Sequence, residues 1–252
     1  MKYFASDVDG TLIRRYHPNA EREILSDDIQ ILQNWVNQNY LIISTGRTQI
    51  SLFNLFDYYH IYTPNTFYVT SNGAEIYDSD RKRIYQKKIS GDILKRVFSL
   101  IQTLNDSDMK ITVFSGHELN ILTKNEFSNL NNITQAVSIC LESISENQNR
   151  ANQWYDILTK WCDEYEVHIN NWYVDIVPPK ISKADSILWL ISVFLKDSSY
   201  RLASIGDGIN DICMFEISQM SYTFPSSNDK VKESAKEIVS YVYEAVEKEL
   251  SE

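Results

Sequence analysis

Short apolar runs that stop at polar turns set the rhythm of this chain. Lys2 to Ser6 is brief, aromatic and apolar and stops at Asp7, the pattern of a buried strand carrying acids at its C-terminal end. A polar loop follows through His17, Pro18 and Asn19. Asp27 or Asp28 then offers a cap for a helix that buries Ile29, Leu32, Trp35 and Val36. Tyr40 to Ser44 reads as a second buried strand closed by Thr45-Gly46-Arg47, and Thr48 to Phe56 as an amphipathic helix. Phe67 to Thr70 reads as a third strand, closed by Ser71-Asn72-Gly73. Strands alternating with helices predict an α/β fold, a doubly wound parallel sheet of Rossmann-like type. Ligands of such sheets bind beyond the carboxyl ends of the strands, where the polar turns fall.

The pattern then changes. Ala74 to Asp78 and Arg83 to Lys87 read as a hairpin about Asp78-Ser79-Asp80. Gly91 to Leu104 reads as a helix with Ile93, Leu94, Val97, Leu100 and Ile101 inward. Lys110 to Phe114 and Leu119 to Thr123 alternate like antiparallel strands, and asparagine-rich Asn125 to Asn132 reads as loop. Arg150 to Tyr165 reads as a helix, and Glu166 to Ile169 with Trp172 to Val177 as a hairpin through Asn170-Asn171. This stretch predicts an inserted α+β domain, with residues 1–86 and 180–252 as the core and 87–179 as the insertion. Past Pro178-Pro179, Lys183 to Leu195 predicts a helix, Tyr200 to Ile205 a strand ending in Gly206-Asp207-Gly208-Ile209-Asn210-Asp211, and Tyr243 to Leu250 a last helix.

Composition narrows the function. A chain of 252 residues is comfortable for a core plus an insertion, and 43% hydrophobic with 23% charged residues is an ordinary globular balance. A net charge of -10 gives no general attraction to nucleic acid or an anionic membrane, so an anionic substrate needs local cations or a metal. Cys140, Cys162 and Cys213 lack metal-site spacing and predict buried free thiols. The N-terminus reads as lacking a signal peptide, and no apolar run approaches the roughly 20 residues of a membrane span, so a cytoplasmic location is expected.

The candidate chemistry lies in two acidic turns. Asp7-Val8-Asp9-Gly10-Thr11 sets two carboxylates two residues apart at a strand end, pointing the same way if the backbone stays extended. Like charges so placed need a nearby cation, or one must hold a proton. A calcium loop does not fit, because Gly10 comes too early for an EF-hand. The Gly206 to Asp211 turn adds further carboxylates, and oxygen ligands without His or Cys point to magnesium (Mg2+) rather than zinc. Thr45 offers a hydroxyl and backbone N–H at a strand-to-helix junction, suited to an anion. Lys183, taken alone, reads as a surface lysine. Arg47 is either a surface charge or a partner that orders the acidic site.

Asp7-Val8-Asp9-Gly10-Thr11-Leu12, Ser44-Thr45-Gly46-Arg47, Ser71-Asn72-Gly73-Ala74, Ser182-Lys183 and Gly206-Asp207-Gly208-Ile209-Asn210-Asp211 stand in an order that resembles the haloacid dehalogenase superfamily, more narrowly the Cof-type sugar phosphatases of subclass IIB. The resemblance spans nearly the whole chain. It implies a magnesium-dependent phosphatase acting on a small phosphorylated metabolite, with Asp7 as nucleophile forming an aspartyl-phosphate and Asp9 as acid and base. It implies Thr45 and Lys183 as phosphate contacts, Gly46, Arg47, Asn72 and Asn210 as substrate-side residues, and Asp7, Asp9 (through its carbonyl), Asp207 and Asp211 as the magnesium site. The insertion would be a cap that reads the leaving group, hinged near Lys87 to Ser90 and Asp175 to Ile181. Trp172, Tyr173 and His168, close to the second hinge, read as core rather than as a sugar platform. Two departures stand out: Ala184 follows the motif lysine where glycine is common, and Pro178-Pro179-Lys180-Ile181-Ser182 replaces the usual Pro-x-Gly, making Lys180 a rival phosphate contact. The competing readings are a phosphomutase of the same subclass and a non-catalytic sugar-phosphate sensor. No nucleic-acid or membrane partner is expected, and the chain is expected to be a monomer or weak homo-oligomer.

Overall fold

The structure is a computed structural model. It describes residues 1–16, 21–61 and 63–251, without the side chains of 161–163. The polar loop through His17, Pro18 and Asn19, and the Cys162 thiol, lie outside the described residues. The chain divides into two compact units, Met1–Tyr85 with Ser182–Glu252, and Gln86–Ile181.

The first unit starts with β1 (Lys2–Ser6), α1 (Ser26–Trp35), β2 (Tyr40–Ser44), α2 (Gln49–Tyr58), β3 (Thr66–Thr70), β4 (Glu75–Tyr77) and β5 (Arg83–Gln86). The second contains α3 (Gly91–Leu104), β6 (Met109–Phe114), β7 (Leu119–Thr123), β8 (Ser138–Ser143), α4 (Gln148–Leu158), β9 (Glu166–Asn170) and β10 (Tyr173–Val177). The chain then completes the first with α5 (Lys183–Trp189), β11 (Arg201–Ile205), α6 (Ile212–Glu216), β12 (Met220–Thr223), α7 (Asp229–Ser234), β13 (Glu237–Ile238) and α8 (Val242–Ser251).

The first unit's sheet runs β13-β12-β11-β1-β2-β3-β4-β5, parallel from β13 through β3, with β4 antiparallel to β3. Alternation along its strands feeds two apolar layers. Phe4, Leu41, Ile43 and Tyr68 pack with Leu32, Trp35, Leu52, Phe56 and Val246 of α1, α2 and α8. Tyr3, Ala5, Ile42, Phe67 and Val69 face the other way, onto Ile187 of α5 and Met214 of α6. Helices on both faces make the sheet doubly wound and bury both sides of each central strand. That is why those strands read as unbroken apolar runs.

The second unit is a five-stranded antiparallel sheet, β7-β6-β8-β10-β9, with α3 and α4 packed on one face through Leu94, Val97, Ile101, Trp154 and Leu158. Its central strand β8 has no counterpart in the sequence reading. Ile139 and Leu141 face the core there, but Cys140 and Glu142 dilute the apolar signal.

Several expectations need correction. Neither Asp27 nor Asp28 caps α1: the helix begins at Ser26 behind Leu25, while Asp28 is buried and accepts the Tyr243 N–H at 2.8 Å. Lys124–Asn132 is a 3-10 helix rather than loop, started by a capping box in which Glu126 accepts from the Thr123 N–H and anchored by buried Phe127 and Leu130. The helix expected from Arg150 to Tyr165 ends at Leu158 and continues as a 3-10 turn, and the one expected to reach Leu195 widens into a π turn over Leu190–Phe194. Asp175 to Val177 lies inside β10, so the second connecting stretch is limited to the residues after it. Trp172, Tyr173 and His168 are half-buried, outside the hydrophobic cluster that holds Val174 and Ile176. Cys140 and Cys213 are free thiols, half-buried rather than buried.

Candidate active site

Strand β1 delivers Asp7 to the carboxyl end of the sheet, where its N–H bonds Ile205 O of β11 at 3.0 Å. Buried Val8 then anchors a tight loop through the Thr11 and Ile13 N–H groups, both donated to its carbonyl. Gly10 takes φ +86°, and a Cβ there would lie 2.1 Å from Asp207 Oδ2. Only glycine lets the two acidic turns approach this closely. Thr11 Oγ1 adds a 3.0 Å hydrogen bond to Asp207 Oδ1.

Behind β11, the glycine-rich turn folds around Asp211. Its Oδ2 accepts from the N–H groups of Asp207 (3.1 Å) and Gly208 (2.9 Å), and its Oδ1 accepts from Lys183 Nζ at 2.6 Å. The same ammonium donates to Asp7 Oδ1 at 2.6 Å. Lys183 is the first residue of α5, whose Ser182 cap accepts from the Asp185 N–H. It is 1% exposed, so it is no surface lysine. Gly73 fixes this helix start against the turn after β3: its φ is +106° and a Cβ would meet Ser182 O at 2.4 Å. Lys180, the rival, is exposed and belongs to the other unit.

One oxygen from each of Asp7, Asp207 and Asp211 lies within 4.8 Å of the others. Burial, then the Asp211 charge, pushes the Asp7 carboxyl well above the usual range, with Lys183 opposing. The same two causes push Asp207 up to about 7. Burial alone would lower Lys183, but Asp211 and Asp7 outweigh it and hold the ammonium charged. One lysine cannot balance three carboxylates. The all-oxygen donor set and the surplus negative charge fit a hard divalent cation.

Asp9 does not join this group through its side chain. Arg47 grips it in a fork, Nε to Oδ2 at 2.6 Å and Nη2 to Oδ1 at 2.7 Å, and Arg22 Nη1 lies 3.7 Å from Oδ1. The backbone does not stay extended through Val8, so the two acids of the motif have separate cationic partners. Thr45 links the clusters: its Oγ1 accepts from Arg47 N–H at 3.1 Å and its carbonyl accepts from Asn72 N–H at 3.0 Å. Its own N–H is spent on Val69 O, and α2 begins only at Gln49 behind a Thr48 cap, so no helix N-terminus sits at Thr45. Gly46 is half-buried between Thr45 and Arg47. Asn72, buried at φ +51°, receives Asn210 Nδ2 on its Oδ1 at 3.4 Å. Asn210 Oδ1 is buried and has no partner among the described residues, an acceptor left over in the site.

All ten residues singled out in the sequence therefore lie in the first unit; nine form an Asp7–Lys183–Asp207–Asp211 cluster, an Asp9–Arg47 pair and an Asn72–Asn210 pair bridged by Thr45, and Gly46 lies in the chain between Thr45 and Arg47. Sequence reasoning missed Thr11, Arg22 and the Gly73–Ser182 contact. Thr11, Gly73 and Ser182 stand inside the motifs, which was their signal, but the Gly73–Ser182 contact and the approach of Arg22 depend on tertiary proximity and were not legible.

Known proteins bear on this arrangement. A sequence model of the haloacid dehalogenase-like hydrolases matches residues 4–250. A curated relative, the 5-amino-6-(5-phospho-D-ribitylamino)uracil phosphatase of Bacillus subtilis, is 26% identical over 239 residues, 93% of this chain and 88% of the relative. The crystal structure of a haloacid dehalogenase-like hydrolase from Bacteroides thetaiotaomicron superposes with a TM-score of 0.74 at 20% identity, covering 98% of each chain. A subclass IIB sugar phosphatase of the superfamily superposes at 0.71 with 19% identity, covering 97% of this chain and 95% of that one. The parallel core, the inserted antiparallel sheet and the match over 4–250 agree: the chain belongs to the haloacid dehalogenase-like hydrolase family.

Proposed function

We propose that this hydrolase is a magnesium-dependent phosphatase that cleaves a small phosphate monoester, a sugar phosphate or a close relative, through a phosphoryl group carried on Asp7. The observation that carries the reading is the cluster itself: buried Lys183 at 2.6 Å from both Asp7 and Asp211, with Asp207 closing a three-carboxylate group at the carboxyl ends of β1 and β11.

Asp7, Asp207 and Asp211 would hold the ion, with the Asp9 carbonyl. Bound magnesium would neutralise the carboxylates and draw phosphoryl oxygens toward them. Lys183 engages Asp7 Oδ1, and among the described residues Oδ2 has no hydrogen-bond partner, which leaves an oxygen for attack on phosphorus. The Asp7–phosphorus bond forms as the bond to the ester oxygen breaks, and that oxygen takes a proton from Asp9. Water then attacks the phosphoryl group, gives its proton to Asp9 and releases phosphate, restoring Asp7. Splitting the displacement into two steps is the advantage of a carboxylate nucleophile. Lys183, the Thr45 hydroxyl and the Asn210 amide supply positive charge and hydrogen bonds around the phosphoryl oxygens. Local cations thus offset the -10 net charge that would otherwise repel the substrate.

A panel of phosphorylated metabolites, assayed for phosphate release with magnesium and with excess chelator, tests this. The wild type is expected to turn over members of the panel only with the metal, and Asp7→Asn is expected to release none while keeping its fold by circular dichroism. Undiminished release by the variant, or full activity in chelator, ends the assignment.

A further inference from the structure

Among the described residues the two sheets present four edge strands, and three are blunted. β13 is two residues long, β5 begins with Arg83, and β9 begins with Glu166, whose carboxylate accepts the Lys180 N–H. Short length and charge are the usual protections of a sheet edge. β7 has neither. Its sequence is Leu-Asn-Ile-Leu-Thr, and Leu119 and Ile121, on one face of the strand, are 37% and 58% exposed.

Its backbone is also open. The hairpin from β6 closes with Ser115 N–H donated to Glu118 O. Antiparallel alternation then sends the backbone groups of residues 120 and 122 toward β6, and those of 119, 121 and 123 outward. The Thr123 N–H is taken by Glu126, which leaves the Leu119 and Ile121 groups as the open rung.

We propose that β7 is a self-association edge that pairs antiparallel with β7 of a second copy of this chain, across a two-fold axis at Ile121. The charges pick the partner and the register. With Ile121 opposite its symmetry mate, Leu119 lies opposite Thr123, and exposed Glu118 lies opposite exposed Lys124. The contact therefore gains two opposite-charge pairs, one at each end of an uncharged strand. A slip of the register by one residue would set opposite side-chain faces against each other, and moving the axis by one residue, a slip of two, would keep the faces but separate these charges. Two five-residue strands bury less than the roughly 1,200 Å² of a standard stable interface, so the dimer forms reversibly with concentration.

Sedimentation equilibrium on the full chain from low micromolar to several hundred micromolar tests this. The wild-type mass is expected to rise from 29.4 kDa toward twice that value. Ile121→Lys places like charges on the axis and is expected to stay monomeric throughout. Glu118→Lys is expected to weaken association at least tenfold, and Glu118→Lys with Lys124→Glu to restore it, because only the double change returns opposite charges to facing positions. Each variant is checked by its melting temperature and phosphate-release activity, which are expected to match the wild type. A wild-type mass that stays at one chain overturns the proposal. So does a dimer indifferent to Ile121→Lys, or a double variant no better than Glu118→Lys.

Discussion

Lys183 shows what burial does to a side chain that sequence statistics place on the surface. Its ammonium has given up water for two carboxylates at 2.6 Å, and the exchange holds only while all three charges persist. Removing one member of a buried ionic cluster leaves its partners uncompensated, a loss of about 3–5 kcal/mol. Lys183→Met is therefore expected to lower the urea midpoint of the chelated protein by a corresponding amount and to abolish turnover. A variant as stable as the wild type would show that Asp7 and Asp211 do not depend on this lysine. Position in the motif made Lys183 legible, but its environment was not: nothing local distinguishes it from Lys180, which ends up exposed at φ +54°. Arg47 was equally open, since its partner Asp9 lies 38 residues away in sequence.

The elements were legible where both faces are buried or where one face alternates cleanly. They blurred where polar residues sit on a half-buried face, as in β8, or where a polar stretch has only two anchors, as in Lys124–Asn132. Contacts between elements were not visible at all, and two of them set measurable properties. Gly10 brings the loop after β1 against Asp207. Gly10→Ala adds a Cβ into that carboxylate at an unfavourable φ, which costs on the order of 1–2 kcal/mol in backbone terms alone. It is expected to weaken the magnesium dependence of activity at least tenfold, seen as a higher metal concentration at half-maximal rate; an unchanged metal titration would show that Asp207 tolerates displacement. Asp28, fully buried, ties α1 to the start of α8 through the Tyr243 N–H, and burial pushes its carboxyl up to about 6. A raised folded value means the folded state holds the proton more tightly. This contribution to stability is therefore greatest below about pH 4 and is lost as pH rises through about 6. Asp28→Asn keeps the acceptor and removes the titration. Its stability should fall less than the wild type's between pH 4 and pH 7, by on the order of 1–3 kcal/mol. Parallel stability–pH curves for the two proteins would contradict that origin.

At the scale of the molecule, the chain is a core interrupted by an insertion with a hydrophobic core of its own. The cluster of the second unit draws only on residues from Ile89 to Ile176, while both clusters of the first draw on residues up to Tyr85 or from Ile187 onward. Among the described residues the cores of the two units share no member, and Lys87 Nζ joins the ends of the insertion by donating to Pro179 O at 2.6 Å. The carboxylates and lysine of the candidate site belong wholly to the first unit. A ligand that binds the native state stabilises only the cooperative unit that holds its site, by about 2.7 kcal/mol at a hundred times its Kd. Calorimetry of the full chain is therefore expected to show two transitions in chelator. Magnesium should raise the one that reports residues 1–85 and 182–252 and leave the other in place, with hydrogen exchange assigning each transition to its residues. Equal upward shifts of both, or a single transition carrying the whole chain, would mean that the insertion and the core unfold together and that separate hydrophobic cores do not make them separate cooperative units.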